Sequence, residues 1–203
     1  ELPPDLVNAF VAIEDSRFWS HNGIDIRSIA RAAKGLISDD YAGGGSTITQ
    51  QVIKNTYLTQ EQTFTRKIVE ILLAPEIEKK YSKADIMEFY CNTNFYGHRC
   101  YGVQAASRYY FGKDAEDLTV YEAATLAGIS NSPSAYDPVA HPQASREKRN
   151  DVLKSMNEIG ELSDEDYQAA INAPFTIVQS QTEGTDENYQ SSYAIHCAAL
   201  ELM

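Results

Sequence analysis

An acidic residue, Glu14, stands where an apolar helical pattern gives way to a turn. Leu6, Phe10 and Ile13 are spaced four and three residues apart, which predicts a buried helix face leading up to it. Residues 14–23, which begin with Glu14, hold two acids, an arginine, two aromatic residues and a histidine, and they end in a turn-forming glycine. A carboxylate at such a helix end can be held rigidly while it faces a cleft, although two solvated acids paired with Arg17 would give the same pattern.

Composition narrows the class of protein. The chain of 203 residues has 43% hydrophobic and 23% charged residues, which is typical of a globular protein of one or two domains. Its apolar runs are shorter than the roughly 18 residues needed to cross a bilayer. Most of the net charge of -12 lies in the second half. We expect no nucleic-acid partner, because phosphate binding over a whole protein needs a basic face.

Capping and spacing signals predict helices along almost the whole chain. Asp25 is a plausible N-cap of the second helix, and Pro75 is expected to kink or break a later one. Residues 174–188 have the composition of a polar linker, and residues 189–203 have the pattern of a final helix. Four further helix starts carry capping pairs: Thr47 with Gln50, Ser82 with Asp85, Thr119 with Glu122, and Ser163 with Asp166.

A second group of candidate functional residues follows three consecutive glycines at 43–45. A glycine-rich loop that runs into a helix N-terminus is typical of an anion-binding site, although GxxxxGK[ST] is absent. Thr47, Gln51, Lys54 and Asn55 fall on one face of that helix. The alternative is a flexible linker followed by a solvated helix face.

A third group consists of Arg66, Lys67 and Glu70, which share one helix face at spacings of three and four. Two cations beside one carboxylate are what a bound diphosphate would require. As a surface ion-pair cluster, the same residues would stabilise the fold by only a few tenths of a kcal/mol.

The cysteines and one serine motif suggest other chemistry. Cys91, Cys100 and Cys197 have no zinc-binding spacing, so they are either small buried side chains or, in an oxidising compartment, include a Cys91–Cys100 bridge. Ser145 and Lys148 match S-x-x-K, the nucleophile motif of penicillin-reactive enzymes. We do not expect Ser145 to be catalytic, because the partner motifs S-D-N and K-T-G are missing.

Six motifs occur in order along residues 14–128. They are E-D-x-x-F-x-x-H-x-G-I-D at 14–25, G-G-S-T-I-T-Q-Q-x-x-K-N at 44–55, R-K-x-x-E at 66–70, S-K-x-x-I-x-x-x-Y-x-N at 82–92, Y-G-V-x-A-A followed by Y-F-G-K at 101–113, and E-A-A-x-L-A-G at 122–128. This ordered set resembles the peptidoglycan glycosyltransferase (transglycosylase) domain of class A penicillin-binding proteins and monofunctional glycosyltransferases.

The resemblance implies a mainly α, lysozyme-like helical domain with a larger head lobe and a smaller, membrane-proximal jaw lobe. The domain would cover residues 1–173, with the jaw at roughly 24–60, and residues 174–203 would lead toward a transpeptidase domain. Family members carry an anchor helix that this chain lacks, so we expect an excised domain. The jaw would touch the membrane, unless its apolar residues are core: Ile24, Ile26, Ile29, Leu36 and Ile37.

The resemblance also implies a reaction, the polymerisation of lipid II into glycan strands at the extracytoplasmic face of the bacterial cytoplasmic membrane. Glu14 matches the catalytic base that activates the acceptor 4-hydroxyl, and the displacement would invert the anomeric centre. Glu70 matches a second essential acid that assists at the diphosphate, through Mg²⁺ or Mn²⁺ if a divalent cation takes part. The remaining matched substrate-binding positions are Asp15, His21, Ser46, Thr47, Gln51, Lys54, Arg66 and Lys67.

The resemblance also predicts an inhibitor class, and at one position the sequence differs from the family pattern. Phosphoglycolipid inhibitors of the moenomycin type should bind the cleft. Gln62 stands where the family usually has a basic residue, so one phosphate contact is either lost or supplied by Arg66.

Two other functions remain open on the sequence. A lysozyme-like muramidase would use Glu14 as a general acid on finished polymer, and it would not need the cations at Lys54, Arg66 and Lys67. A non-catalytic glycan- or lipid-binding module would need neither Glu14 nor Glu70.

Overall fold

The computed structural model describes residues 2–38, 44–57 and 64–179, without the side chains of residues 32, 33, 35–38, 57 and 64. Over these ranges the chain is helical, with one isolated antiparallel bridge between Phe95 and Tyr101. The predicted mainly α fold is confirmed. The helices are α1 (Pro4–Glu14), α2 (Ile26–Ser38), α3 (Ile48–Tyr57), α4 (Phe64–Lys80), α5 (Lys83–Thr93), α6 (Val103–Phe111), α7 (Val120–Asn131), α8 (Pro142–Glu158) and α9 (Asp164–Asn172), with 3-10 turns at Phe18–Ser20 and Ala115–Asp117.

The helices begin where the capping residues predict. The Asp25 carboxylate accepts the backbone N–H groups of Arg27 and Ser28, and so caps α2 as predicted. The four capping pairs are also formed. Gly112 ends α6 in the left-handed conformation, with φ of 68°.

Pro75 does not break its helix. α4 continues from Phe64 through Pro75 to Lys80, so of the two predicted alternatives, a kink or a break, the break is wrong. An interior proline removes one backbone hydrogen bond, and here Ala74 before it and Ile77 after it are both buried. Burial of this apolar face on both sides of Pro75 accounts for the continuity of the helix.

The chain divides into two compact units, residues 14–90 and residues 1–13 together with 91–203. In the first unit the buried apolar residues come mainly from α3, α4 and α5, including Ile48, Ile53, Ala74 and Ile86. All the predicted site residues belong to this unit.

The core of the second unit is built on α7 and α8. The stretch Ala123–Ile129 of α7 is buried, and a Cβ on Gly128 would lie only 3.0 Å from Lys148 Cγ on α8. This close approach is what the small residues of α7 predict. An extended segment follows α9, and its Val178 N–H donates to the Tyr110 carbonyl, so the first part of the predicted linker lies against this unit.

The remaining predictions have mixed outcomes. Cys91 and Cys100 are buried thiols rather than a disulfide. Ser145 is 2% exposed, which is unsuited to a nucleophile. Across the ranges that the structure describes, no helix is both long and apolar enough to cross a bilayer. Predictions for Gln62, Cys197, residues 180–203 and the side chains of Leu36 and Ile37 lie outside the described residues.

Candidate active site

Glu14 is the last residue of α1, as the sequence predicts, and its side chain is half-buried. Gln51 Nε2, on the first turns of α3, donates a hydrogen bond of 2.8 Å to Glu14 Oε2. The Tyr90 hydroxyl lies 3.5 Å from Gln51 Oε1, on the other side of the same amide. The amide is thereby oriented with its N–H toward Glu14, and the carboxylate has a defined position.

The neighbouring carboxylate, Asp15, is buried and 6% exposed. Its oxygens lie 2.9 and 3.0 Å from His21 Nε2, and Oδ2 also accepts the Ile48 backbone N–H at 3.1 Å. That N–H belongs to the first residue of α3, so Asp15 caps the helix that carries Gln51. Through these contacts Asp15 orders the start of α3, and its contact with substrate stays a prediction.

Thr47, which precedes α3, is 1% exposed. Its hydroxyl donates to the Gly23 carbonyl at 2.7 Å and accepts the Gln50 N–H at 3.1 Å. The hydroxyl thus both donates and accepts a hydrogen bond within the fold, and the contact of Thr47 with substrate stays a prediction.

The predicted cationic group is formed on α4. Lys67 Nζ donates to Glu70 Oε2 at 2.8 Å and to Ser46 Oγ at 2.7 Å, while Arg66 Nε lies 3.3 Å from Glu70 Oε1. The Glu70 side chain is 4% exposed, and that of Lys67 is 42% exposed. The buried carboxylate therefore holds two cations, of which Lys67 has substantial access to solvent.

Residues at the start of α3 contact both Glu14 and the Arg66–Lys67–Glu70 cluster. Ser46 stands just before the helix and contacts Lys67, whereas Gln51 on its first turns contacts Glu14. Lys54 is exposed in the last turn of the same helix. Packing of α3 against α4 thus brings Glu14, the Arg66–Lys67–Glu70 cluster and Lys54 into one compact unit.

This arrangement can serve a proton transfer beside an anion. A half-buried carboxylate can accept a proton from a hydroxyl, and adjacent fixed cations can stabilise a departing phosphate. The donors around Glu70 do not fit a resident divalent cation, since its two oxygens already face Lys67 and Arg66.

Four residues outside the predicted set lie behind Asp15 and His21. Lys83 and Glu78 form an ion pair, Thr49 donates to Glu78, and Phe18 packs under Lys83. Lys83 falls within the S-K-x-x-I motif at 82–92, and that motif is the signal from which it could have been found.

Apolar side chains are exposed on the same unit. Ile26 is 77% exposed and Ile29 is 38% exposed on α2, while Ile24 is half-buried. Ile68 and Leu72, one turn apart on α4, are also exposed. The alternative that the described isoleucines of α2 are core residues is wrong for Ile26 and Ile29.

Comparison with known proteins gives consistent matches. The family model described as Transglycosylase matches residues 1–157. Penicillin-binding protein 1F of Bacillus subtilis is 46% identical over 164 residues, which are 80% of this chain and 23% of that protein. A Cupriavidus necator protein with the name of a transglycosylase is 42% identical over 87% of this chain and 77% of its own length.

Among solved structures, penicillin-binding protein 1A of Haemophilus influenzae covers 71% of this chain and 19% of that one, with 30% identity and a TM-score of 0.48. The chain thus spans less than a quarter of penicillin-binding protein 1F, but most of the Cupriavidus protein. The family model covers well over half of the chain, and on that ground the chain belongs to the transglycosylase family.

Proposed function

We propose that this domain is a peptidoglycan glycosyltransferase that polymerises lipid II. The observation that carries the proposal is the pairing of Glu14 with Gln51 on the first turns of α3, close to Ser46, which precedes that helix and contacts Lys67. The first turns of α3 and the residue just before it thus contact both the candidate base and Lys67 of the cationic cluster.

In the proposed reaction, Glu14 takes the proton from the acceptor 4-hydroxyl as that oxygen attacks the anomeric carbon. A positioned base typically contributes ~10²–10⁴-fold to the rate. Lys67, Arg66 and Lys54 neutralise the lipid diphosphate as it departs, and Gln51 holds the base in place. Attack and departure on opposite faces of the sugar make this an inverting displacement.

Glu70 has a different part from Glu14. Because it is almost wholly buried between Arg66 and Lys67, it orients these cations toward the diphosphate. Its essential function is then to set the shape of the cationic cluster.

The reaction is proposed to take place at a membrane surface. The exposed Ile26 and Ile29 support contact with a membrane surface, as expected at the extracytoplasmic face where lipid II is presented. A phosphoglycolipid of the moenomycin type would compete for the cationic cluster. Because the chain covers only part of penicillin-binding protein 1F, penicillin binding by a longer protein is a separate proposal.

The decisive test compares wild type with Glu14→Gln for glycan polymer formation from lipid II. We expect the variant to lose at least about 10²-fold in kcat, as is typical for a removed general base. Glu88→Gln is the matched control, since Glu88 is exposed on α5 of the same unit. Full synthesis by Glu14→Gln would refute the assignment, and digestion of purified cell walls without synthesis would support a muramidase.

A further inference from the structure

We infer that Lys83 and Glu78 are positioning residues for the Glu14 base. They act through His21 and Asp15, in a buried network that fixes the first turn of α3. The inference rests on the proposed function and adds to it two residues that touch no reacting atom.

The network begins at His21, which connects Asp15 to Lys83. One ring nitrogen, Nε2, faces both Asp15 oxygens, and the other, Nδ1, lies 3.5 Å from Lys83 Nζ. An ammonium group has three donors and no acceptor, so the nitrogen that faces it must offer a lone pair. The geometry therefore selects the tautomer with hydrogen on Nε2, which donates to Asp15.

Lys83 is itself held in place from two sides. Its Nζ donates to Glu78 Oε1 at 2.8 Å and lies 4.3 Å from the centroid of the Phe18 ring. The Phe18 side chain is fully buried, and the Glu78 side chain is 6% exposed. A cation over a desolvated ring beside a buried carboxylate has little freedom to move.

The other end of the network reaches α3. Thr49 Oγ1 donates to the same Glu78 oxygen at 2.5 Å, and the Ile48 N–H donates to Asp15 at 3.1 Å. Two consecutive residues of α3 are thus tied to the network. Gln51 lies two residues further on and donates to Glu14. A shift of Asp15 or Glu78 would therefore move the amide that orients the base.

The Lys83→Met variant tests this inference, because methionine keeps the length of the side chain and removes its charge and donors. We expect kcat for polymer formation to fall about tenfold to a hundredfold, while KM for lipid II stays within about twofold. The matched control is Lys79→Met, since Lys79 belongs to an exposed ion pair with Glu76 on α4 and should show no change.

Nitrogen-15 NMR of the imidazole gives a second readout that does not depend on activity. We expect the wild-type His21 ring to carry its hydrogen on Nε2, and Lys83→Met to shift the Nδ1 resonance, because the Nδ1 lone pair loses the nearby ammonium. A His21→Gln variant assigns the signal. Hydrogen on Nδ1 in the wild type, or unchanged kcat in a folded Lys83→Met variant, would overturn the inference, and so would a fall that appears only in KM.

The two proposals fail in different ways. If wild type makes no polymer from lipid II, the proposed function is wrong, and the inference about the base falls with it even if the NMR result is as expected. If wild type is active but Lys83→Met behaves like Lys79→Met, only the positioning inference is wrong. Glu78→Gln is a second variant with the same expected loss of kcat, in case Lys83→Met does not fold.

Discussion

Gln51 Nε2 lies 2.8 Å from Glu14 Oε2, and this hydrogen bond joins two residues that are 37 positions apart in the chain. It joins Glu14 to the face of α3, and Ser46, just before that helix, accepts a hydrogen bond from Lys67. Since Gln51 is itself oriented from its other side by Tyr90, the contact has the character of a fixed support for the carboxylate.

Replacement of Gln51 by leucine should therefore lower activity without unfolding the protein. A hydrogen bond to a charged group is worth about 1.5–3 kcal/mol, which corresponds to a loss of about tenfold to a hundredfold in kcat/KM. Steady-state polymerisation of lipid II measures it. Gln143→Leu is the control, since Gln143 is exposed on α8. Equal activity of the two variants would show that the bond does not orient the base.

Variants of the cationic cluster of Arg66, Lys67 and Glu70 can show which residues affect stability and which affect activity. Lys67→Met leaves the buried Glu70 carboxylate with Arg66 alone, so we expect a loss of stability of about 1 kcal/mol, discounted because Lys67 is 42% exposed. The double variant Lys67→Met/Glu70→Gln should regain much of that stability but none of the activity. Urea unfolding and polymer formation measure the two quantities. Recovery of activity in the double variant would mean that Lys67 serves only to neutralise Glu70.

Much of this site could be predicted from sequence, because its parts are local. The helix end at Glu14, the box of Thr47 and Gln50, and the spacing of Arg66, Lys67 and Glu70 all depend on neighbours within four residues. The resemblance to a family supplied their expected roles, whereas the burial of Asp15, Thr47 and Glu70 is seen only in the structure.

The parts that were missed depend on contacts between distant residues. Thr49 and Glu78 are 29 positions apart, and His21 and Lys83 are 62 apart, so no helical period connects them. The continuity of α4 through Pro75 is missed for a related reason. The free-energy cost of a proline inside a helix can be judged from the local sequence, whereas the burial of Ala74 and Ile77 on either side of it depends on tertiary packing.

Asp25 should make stability depend on acid pH. Burial raises the pKa of Asp25, but hydrogen bonds from the Ser28 hydroxyl and backbone, together with the Arg17 charge, outweigh burial and leave the pKa below its ordinary value. A folded-state pKa that is lowered gives stability that is present above the ordinary carboxyl pKa of about 3.9 and is lost as pH falls through the folded value.

The Asp25→Asn variant tests this dependence. We expect it to be less stable than wild type by about 1 kcal/mol at pH 7, because asparagine still caps the helix but loses the charge-assisted bonds from Arg17 and the Ser28 hydroxyl, and to approach wild type below about pH 4. Urea unfolding at pH 3 to 7 measures the difference. Asp151→Asn, an exposed change on α8, is the control. A difference that stays constant over this range would contradict the prediction.

Arg149 should be needed to hold the segment that follows α9. Its guanidinium is fully buried and donates to the carbonyls of Ile171 at 3.1 Å and Ala173 at 3.5 Å. Burial and the nearby Arg146 lower the pKa of Arg149. Arg149→Met would leave the two carbonyls without these donors, and we expect it to lower the free energy of unfolding by about 1–3 kcal/mol.

Limited proteolysis after Asn172, together with urea unfolding, measures that loss. Arg146→Met is the matched control, because Arg146 is exposed on the same helix. If the segment is cleaved at the same rate in both variants, Arg149 does not hold it.

Gly23 should tolerate no side chain, because its backbone packs directly against the backbone of α4 at Ala74 and Pro75. Its φ is +82°, and a Cβ would lie 2.5 Å from the Ala74 carbonyl carbon and 2.8 Å from Pro75 N. Gly160 has nearly the same φ, +83°, but open space around it. Gly160→Ala therefore measures conformational strain alone, about 1–2 kcal/mol, whereas Gly23→Ala adds a clash with backbone of about 1–3 kcal/mol.

The same substitution should also reduce activity. The Gly23 carbonyl accepts the Thr47 hydroxyl just before α3, so a displaced loop would move the helix that carries Gln51. We expect Gly23→Ala to lose more stability in urea than Gly160→Ala, and to lose polymerisation activity while Gly160→Ala keeps it. Equal losses of stability would show that the loop can move away from α4, and full activity would show that this junction does not position α3.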